Sequence, residues 1–253
     1  MSINPGDIVK FIRQKDYRIE KVVGQGGTGI AVLLFDEILN MYFLCKSYCP
    51  QGNNDRSLCF QYFIDEIRIM YLLSHKNVVR IYNYFLYPAQ LTGYILMEYI
   101  KGQSLDAYFN ESINVDCNDI FIQLISAFDY LEKNRVLHRD IRPSNFLVDE
   151  NGNVKVIDFG FGKQICKDDI SSMSILLDWP VSKFPNELNN NKYNHRTEMF
   201  FIGKMYEGLL KKHTSLDFRY HDIISAMTEL ELELRPDSFS NILEMISISI
   251  IDV

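Results

Sequence analysis

His138-Arg139-Asp140-Ile141-Arg142-Pro143-Ser144-Asn145 puts an acid, an amide and cationic side chains within eight residues. The apolar run Phe146-Leu147-Val148 follows, then the turn-rich Asp149-Glu150-Asn151-Gly152-Asn153, then Val154-Lys155-Val156-Ile157. This pattern predicts two short strands joined by a tight turn. The second strand runs directly into Asp158-Phe159-Gly160. A hairpin with one carboxylate before its first strand and another after its second holds both at one end. That arrangement suits a base and a metal ligand facing one phosphate.

The chain has 253 residues, enough for one large domain or one domain of two lobes. With 47% hydrophobic residues it can form a substantial core, and disorder is not expected. The net charge of -7 argues against a nucleic-acid-binding surface. Met1 to Lys10 has no apolar core of signal-peptide length, and no stretch has the length of a membrane-spanning helix. The five cysteines, Cys45, Cys49, Cys59, Cys117 and Cys166, form no CxxC pair. They read as reduced, mostly buried thiols of a cytoplasmic protein.

Upstream, Tyr17 to Val23 alternates apolar and polar residues as a strand does. Gly24-Gln25-Gly26-Gly27-Thr28-Gly29 follows, then the apolar run Ile30 to Phe35. A glycine-rich turn between strands lets backbone N–H groups approach a triphosphate, although a flexible hairpin tip has the same composition. A dinucleotide-binding motif would need a helix immediately after the glycines, and Ile30-Ala31-Val32-Leu33-Leu34 reads as strand. Met41 to Ser47 predicts a third strand carrying Lys46 among Phe43, Leu44 and Cys45. Phe60 to Ser74 has helical spacing, with Phe63, Ile67, Met70 and Tyr71 on one face and Leu73 near its edge. Glu66 lies near the edge of that face, within reach of Lys46. A fourth strand follows His75 to Tyr82, and Gly93 to Glu98 is a fifth. Lys101-Gly102 marks a break. Beyond it the pattern is helical, at Ser104 to Phe109, with Ser104 as cap, and at Cys117 to Asn134.

Glycine loop, strand lysine, helix glutamate and the HRD…N/DFG hairpin, in this order, resemble the eukaryotic-type protein kinase family. The resemblance runs from about Tyr17 to about Ile246, and Asp158 stands thirteen residues after Asn145. It implies an α+β, bilobal fold. A small β-rich N-lobe with one main helix, residues 1–100, would hold the glycine loop and hinge. A larger, mostly helical C-lobe, residues 101–253, would hold the catalytic loop and activation segment.

The implied activity is transfer of the γ-phosphoryl group of ATP to Ser/Thr hydroxyls of a protein substrate, with autophosphorylation. Gly24, Gln25, Gly26, Gly27, Thr28 and Gly29 would cover the ATP phosphates. Lys46 would bind the α/β-phosphates and pair with Glu66. Asp140 would orient and deprotonate the acceptor hydroxyl. Asn145 and Asp158 would hold Mg²⁺, with Mn²⁺ as the alternative metal. Met97 would be the gatekeeper, Glu98 and Ile100 would meet adenine, and Ala31, Leu44 and Leu147 would line its slot. His138 resembles a packing residue of a stacked spine with Phe159, Met70 and Ile81. Arg139 resembles the arginine that a phosphorylated activation loop neutralises.

Several positions depart from the family pattern. Arg142 stands where serine/threonine kinases usually carry lysine and some tyrosine kinases carry arginine; it can still neutralise the γ-phosphate. Ala31 and Leu44 exchange the usual large and small residues of the adenine roof, a volume-conserving swap. Phe184-Pro185-Asn186-Glu187 loosely matches the end of an activation segment, with Glu187 expected to pair with Arg235. Ser171, Ser172 and Ser174 are candidate phosphosites, and Trp179 a packing anchor. Glu198 replaces the aspartate that usually begins the buried helix. The seven residues from Thr214 to Tyr220 are too few for a helix with two connections, so one docking helix is expected to be absent.

A nucleotide-binding pseudokinase scaffold is the alternative reading, with a tyrosine or dual-specificity kinase and a small-molecule kinase as others. A compact catalytic core without appended domain or anchor is expected, and in this the chain resembles bacterial, viral or effector-type kinases. Substrate, pathway and oligomeric state are not encoded in any motif.

Overall fold

A computed structural model of the chain describes residues 15–26, 29–48, 56–112, 115–159, 184–190 and 192–251. Five strands form one antiparallel sheet: β1 (Arg18–Gly26), β2 (Gly29–Asp36), β3 (Met41–Tyr48), β4 (Ile81–Tyr87) and β5 (Thr92–Glu98), in the order β1-β2-β3-β5-β4. Opposed residues of paired strands share a face. Ala31 is opposite Lys46, Leu33 opposite Leu44, Ile95 opposite Lys46, and Met97 opposite Leu44. One face of the sheet therefore carries the lysine with the residues expected to roof adenine.

Helix α1 (Arg56–Met70) packs on this sheet through Cys59, Phe60, Phe63, Ile67 and Met70, and Tyr48 stacks on Phe63 at 4.6 Å. It begins four residues earlier than the spacing predicts and ends four earlier, and Tyr71 is half-exposed instead of on the buried face. The cause is tertiary. The Ser74 N–H donates to the Tyr130 hydroxyl at 2.8 Å, and His75 stacks on the Tyr130 ring at 4.9 Å. These contacts draw the chain off the helix axis before the apolar period is exhausted.

The second layer is mostly helical: α2 (Leu105–Glu111), α3 (Cys117–Lys133), α4 (His195–Lys212), α5 (His221–Met227) and α6 (Phe239–Ile251). Phe121, Leu124, Ile125 and Phe128 of α3 are fully buried against Phe200 and Tyr206 of α4 and Phe239 of α6. Asp116 caps α3, accepting from the Asn118 and Asp119 N–H groups. Ser104 does occupy the N-cap position of α2, but its side chain makes no cap hydrogen bond.

A small sheet of β6 (Gly102–Ser104), β7 (Phe146–Asp149) and β8 (Val154–Val156) lies between these helices and the larger sheet. The β7–β8 hairpin is the one its sequence predicts. Asp149 Oδ1 builds its turn by accepting the Asn151 and Asn153 N–H groups at 2.8 and 2.9 Å, and Gly152 takes φ of +81°. β6 was not expected, because Lys101-Gly102 reads as a break. Gly102 is needed there for another reason: a Cβ would lie 2.2 Å from the Val148 carbonyl oxygen.

Between α4 and α5 there is no helix, as the short interval predicts. The connection is pinned instead. Phe218 and Tyr220 pack on Phe121, Asn118 Nδ2 donates to the Asp217 carbonyl at 2.8 Å, and Asn118 Oδ1 accepts the Arg219 N–H at 2.9 Å. Cys59 and Cys117 are buried and Cys45 partly so; Cys49 and Cys166 lie outside the described residues.

Candidate active site

The loop from His138 to Asn145 is held by its own polar groups. His138 is fully buried; its Nε2 contacts the Ile157 carbonyl at 2.9 Å and its Nδ1 accepts the Asp140 N–H at 3.2 Å. This pair of partners fits the neutral imidazole protonated at Nε2. Its ring packs on Phe159 at 4.9 Å and on Phe146 at 5.9 Å, and Met70 and Ile81 belong to the same apolar core. The packing role expected of His138 is what the contacts describe.

Asn145 is nearly inaccessible to solvent. Its Nδ2 donates to the Asp140 carbonyl at 2.8 Å and to Asp140 Oδ2 at 2.9 Å, while its own carbonyl accepts the Ile157 N–H at 2.9 Å. Arg142 Nε stands 3.4 Å from Asp140 Oδ2. The His138–Asn145 loop and Ile157, the residue just before Asp158, are thus tied directly together. Two residues take left-handed backbone angles here, Arg139 with φ of +65° and Asp158 with φ of +53°. A residue with a Cβ holds that conformation only where its surroundings over-determine it. For Arg139 the determinant is visible: its N–H donates to Glu198 Oε1 at 2.7 Å. Glu198 is wholly buried near the start of α4, and burial pushes its carboxyl up to about 8.

The upper half of the site differs from expectation in one respect. Lys46 does not take Glu66 as its ion-pair partner; its Nζ pairs with Asp158 Oδ1. Burial works against the charged forms of both Lys46 and Asp158, but their mutual attraction outweighs it. The lysine lies above its usual range and the aspartate below. Glu66 interacts with Lys46 through its charge and, among the described residues, makes no hydrogen bond. Burial pushes its carboxyl up to about 7, opposed by Lys46 and reinforced by Asp158. The charges of Asp158, Glu66 and Asp140 all reach this ammonium, and Asp158, at its left-handed turn, is the one in contact with it.

Ala31, Leu44 and Met97 share the lysine's face of the sheet, the first two partly exposed and Met97 buried. Leu147, on β7, is also partly exposed. Glu98, the last residue of β5, sends its side chain to Lys155 of β8, with contacts of 2.7 and 2.9 Å, and its N–H to the Arg80 carbonyl at 2.9 Å. That tie between the end of β5 and the β7–β8 hairpin carried no signal in sequence, because each partner alone reads as a surface charge. In the glycine loop, Gly24 lies opposite Ala31 and Gly26 opposite Gly29 at the closing end of the β1–β2 hairpin. Gly27 and Thr28 lie outside the described residues, as do Gly160, Ser171, Ser172, Ser174 and Trp179.

Glu187 and Arg235 form the expected pair, Oε2 to Nη2 at 2.5 Å, with both side chains buried. Glu187 also accepts the Thr197 hydroxyl at 2.9 Å. Thr197 in turn closes a capping box with Asn194 at the start of α4.

A twisted β lobe over a helical lobe, with an acid, an amide and a DFG carboxylate meeting at one hairpin end, defines the protein kinase architecture. The model of the "Protein kinase domain" family matches residues 17–246, and the chain belongs to that family. It is 27% identical over 190 residues to a probable serine/threonine-protein kinase of Clostridium acetobutylicum, covering 74% of this chain and 28% of the relative. Against the serine/threonine-protein kinase PrkC of Bacillus subtilis it is 28% identical, covering 74% of this chain and 29% of that one. The chain thus spans less than a third of the length of these two relatives. The kinase domain of Mycobacterium tuberculosis PknI superimposes with a TM-score of 0.64 at 15% identity, covering 98% of this chain and 99% of that one, which shows the shared fold.

Proposed function

We propose that this chain transfers the γ-phosphoryl group of ATP to serine or threonine hydroxyls of protein substrates and phosphorylates itself. The observation that carries the reading is the fixing of Asp140 by Asn145 at both its carbonyl and its carboxylate, beside the Lys46–Asp158 pair. Phosphoryl transfer depends on alignment and charge neutralisation, and these side chains supply both. In this reading Asp140 orients the acceptor hydroxyl and takes its proton. Arg142 and Lys46 neutralise phosphate charge, and Glu66 is Lys46's partner once the lysine turns to nucleotide. Gly24, Gln25, Gly26, Gly27, Thr28 and Gly29 cover the phosphates. Ala31, Leu44, Met97 and Leu147 enclose adenine, whose edge meets the backbone of Glu98 and Ile100. The lobes divide between residues 100 and 101.

The family implies a divalent metal, and the donors here fit Mg²⁺. Asp158 is held ionised by Lys46, and the Asn145 amide nitrogen is committed to Asp140, so its oxygen is the atom left to ligate. A bound ion would neutralise charge developing on the β- and γ-oxygens. No helix among the described residues is long and apolar enough to cross a membrane, and we take the chain to act in the cytoplasm.

Mass spectrometry of the protein incubated with Mg-ATP, beside Asp140→Asn, tests the reading. Phosphate on serine or threonine of the wild type alone supports it. Phosphate on neither, with an added protein substrate also unlabelled, overturns it.

A further inference from the structure

The start of α4 carries an arrangement that the phosphotransfer reading leaves unused. Asn194 is the N-cap residue and Thr197 closes the capping box, so Tyr193 and Glu198 stand at the positions immediately before the cap and four residues after it. Chains entering a helix through a capping box commonly pack these two positions together as an apolar staple. Here the staple is polar: the Tyr193 hydroxyl donates to Glu198 Oε1 at 3.3 Å. That same oxygen accepts the Arg139 N–H, the group that fixes the left-handed turn one residue before Asp140.

We propose that Tyr193 is a positioning residue for the catalytic loop. Its hydroxyl holds the Glu198 carboxyl against the Arg139 N–H and so links the anchored end of the activation segment to Asp140. The inference rests on the reading of Asp140 as the catalytic carboxylate.

The chain of contacts is continuous at both ends. Arg235 holds Glu187, Glu187 accepts from Thr197, and Thr197 and Asn194 cap α4. The cap sets the Tyr193 ring, which lies parallel to Phe201 with centroids 6.4 Å apart. The charges of Arg139 and Asp140 both reach the Tyr193 phenol, and burial holds it in its protonated, donating form. Oε1 of Glu198 remains an acceptor whether or not the other carboxyl oxygen carries a proton, so the link persists in either state. A residue that served only to fill space would need the ring and not the hydroxyl.

Tyr193→Phe removes the hydroxyl and keeps the ring; Phe201→Leu removes the stacking partner and keeps the hydroxyl. Both are compared with wild type for kcat, for KM toward ATP and casein, for melting temperature, and for amide hydrogen exchange in the 136–141 peptide. The expected result for Tyr193→Phe is a kcat lowered about three- to tenfold, the loss of one hydrogen bond, with KM for ATP unchanged and faster exchange at Arg139. Phe201→Leu is expected to lower the melting temperature and leave kcat unchanged. An unchanged kcat in Tyr193→Phe, or a fall in kcat, KM and melting temperature together, overturns the proposal. If the wild type transfers no phosphate, the functional reading fails, and exchange at Arg139 decides the link by itself: unaltered exchange in Tyr193→Phe overturns it.

Discussion

Two glutamates flank the proposed catalytic centre, one from each lobe, and they are held differently. Glu198 is fully enclosed in the helical lobe and accepts the Arg139 N–H and the Tyr193 hydroxyl. Glu66, on α1 of the β lobe, is also driven by burial toward its neutral form, yet among the described residues it makes no hydrogen bond and meets Lys46 only through its charge. The lower carboxyl is fixed by a backbone donor that cannot move without unmaking the loop. The upper one faces a flexible lysine already committed to Asp158. On the proposed reading the helical lobe presents a finished half-site, whereas the β lobe presents one that a change of lysine partner would complete.

The strongest test of the finished half is Asp140→Asn, expected to reduce phosphoryl transfer about 10²- to 10⁴-fold with the fold intact. A single-turnover assay beside a melting curve checks both parts. Substantial residual transfer would mean that the lower half is not where the chemistry is set.

Next in size is the lock behind that half. Arg235→Leu leaves Glu187 buried without its cation and should cost about 3–5 kcal/mol in urea unfolding. A cost near zero would show the lower half to be less fixed than its contacts imply.

The two glutamates can then be compared by pH. The folded state keeps the Glu198 proton up to about 8, whereas an ordinary glutamate releases it near 4.5. Across that window the unfolded chain binds fewer protons, so stability falls as pH rises, by up to about 1.4 kcal/mol per pH unit. Glu198→Gln removes this loss, and its stability relative to wild type should climb until about pH 8. Glu66→Gln should behave the same way but level off about pH 7. Coincident end points in the two denaturation series would erase the distinction between the halves.

The smallest expected effect tests the unfinished half. Leu44 shares its sheet face with Met97, while Ala31 sits one pair along, opposite Lys46. Leu44→Ala should weaken ATP binding about fivefold, the transfer value of roughly one buried methylene, and adding Ala31→Val should restore it. Calorimetric titration with nucleotide measures both, and unchanged affinity in the single variant would refute the compensated roof.

Most of the architecture was legible because it is written locally. The β7–β8 hairpin announces itself in alternation and in Asp149 to Asn153, and the missing helix follows from a count of residues between α4 and α5. The Glu187–Arg235 pair was also foreseen, from the resemblance to the kinase family. What was missed is of another kind. The boundaries of α1 yielded to contacts from Tyr130, fifty-six residues beyond Ser74. β6 exists because Gly102 can approach the Val148 carbonyl.

The sequence by itself determined the strands, their order along the chain and the β7–β8 turn, since periodicity and turn chemistry are properties of neighbours, and its resemblance to the kinase family supplied the groups proposed for phosphoryl transfer. Only the tertiary structure decided which carboxylate holds Lys46, which backbone donor Glu198 accepts, and which lysine fastens the end of β5. Those choices are made by distances of a few ångströms between groups far apart in the chain, where ion pairs and hydrogen bonds are won by the nearest partner and burial penalises the one left over.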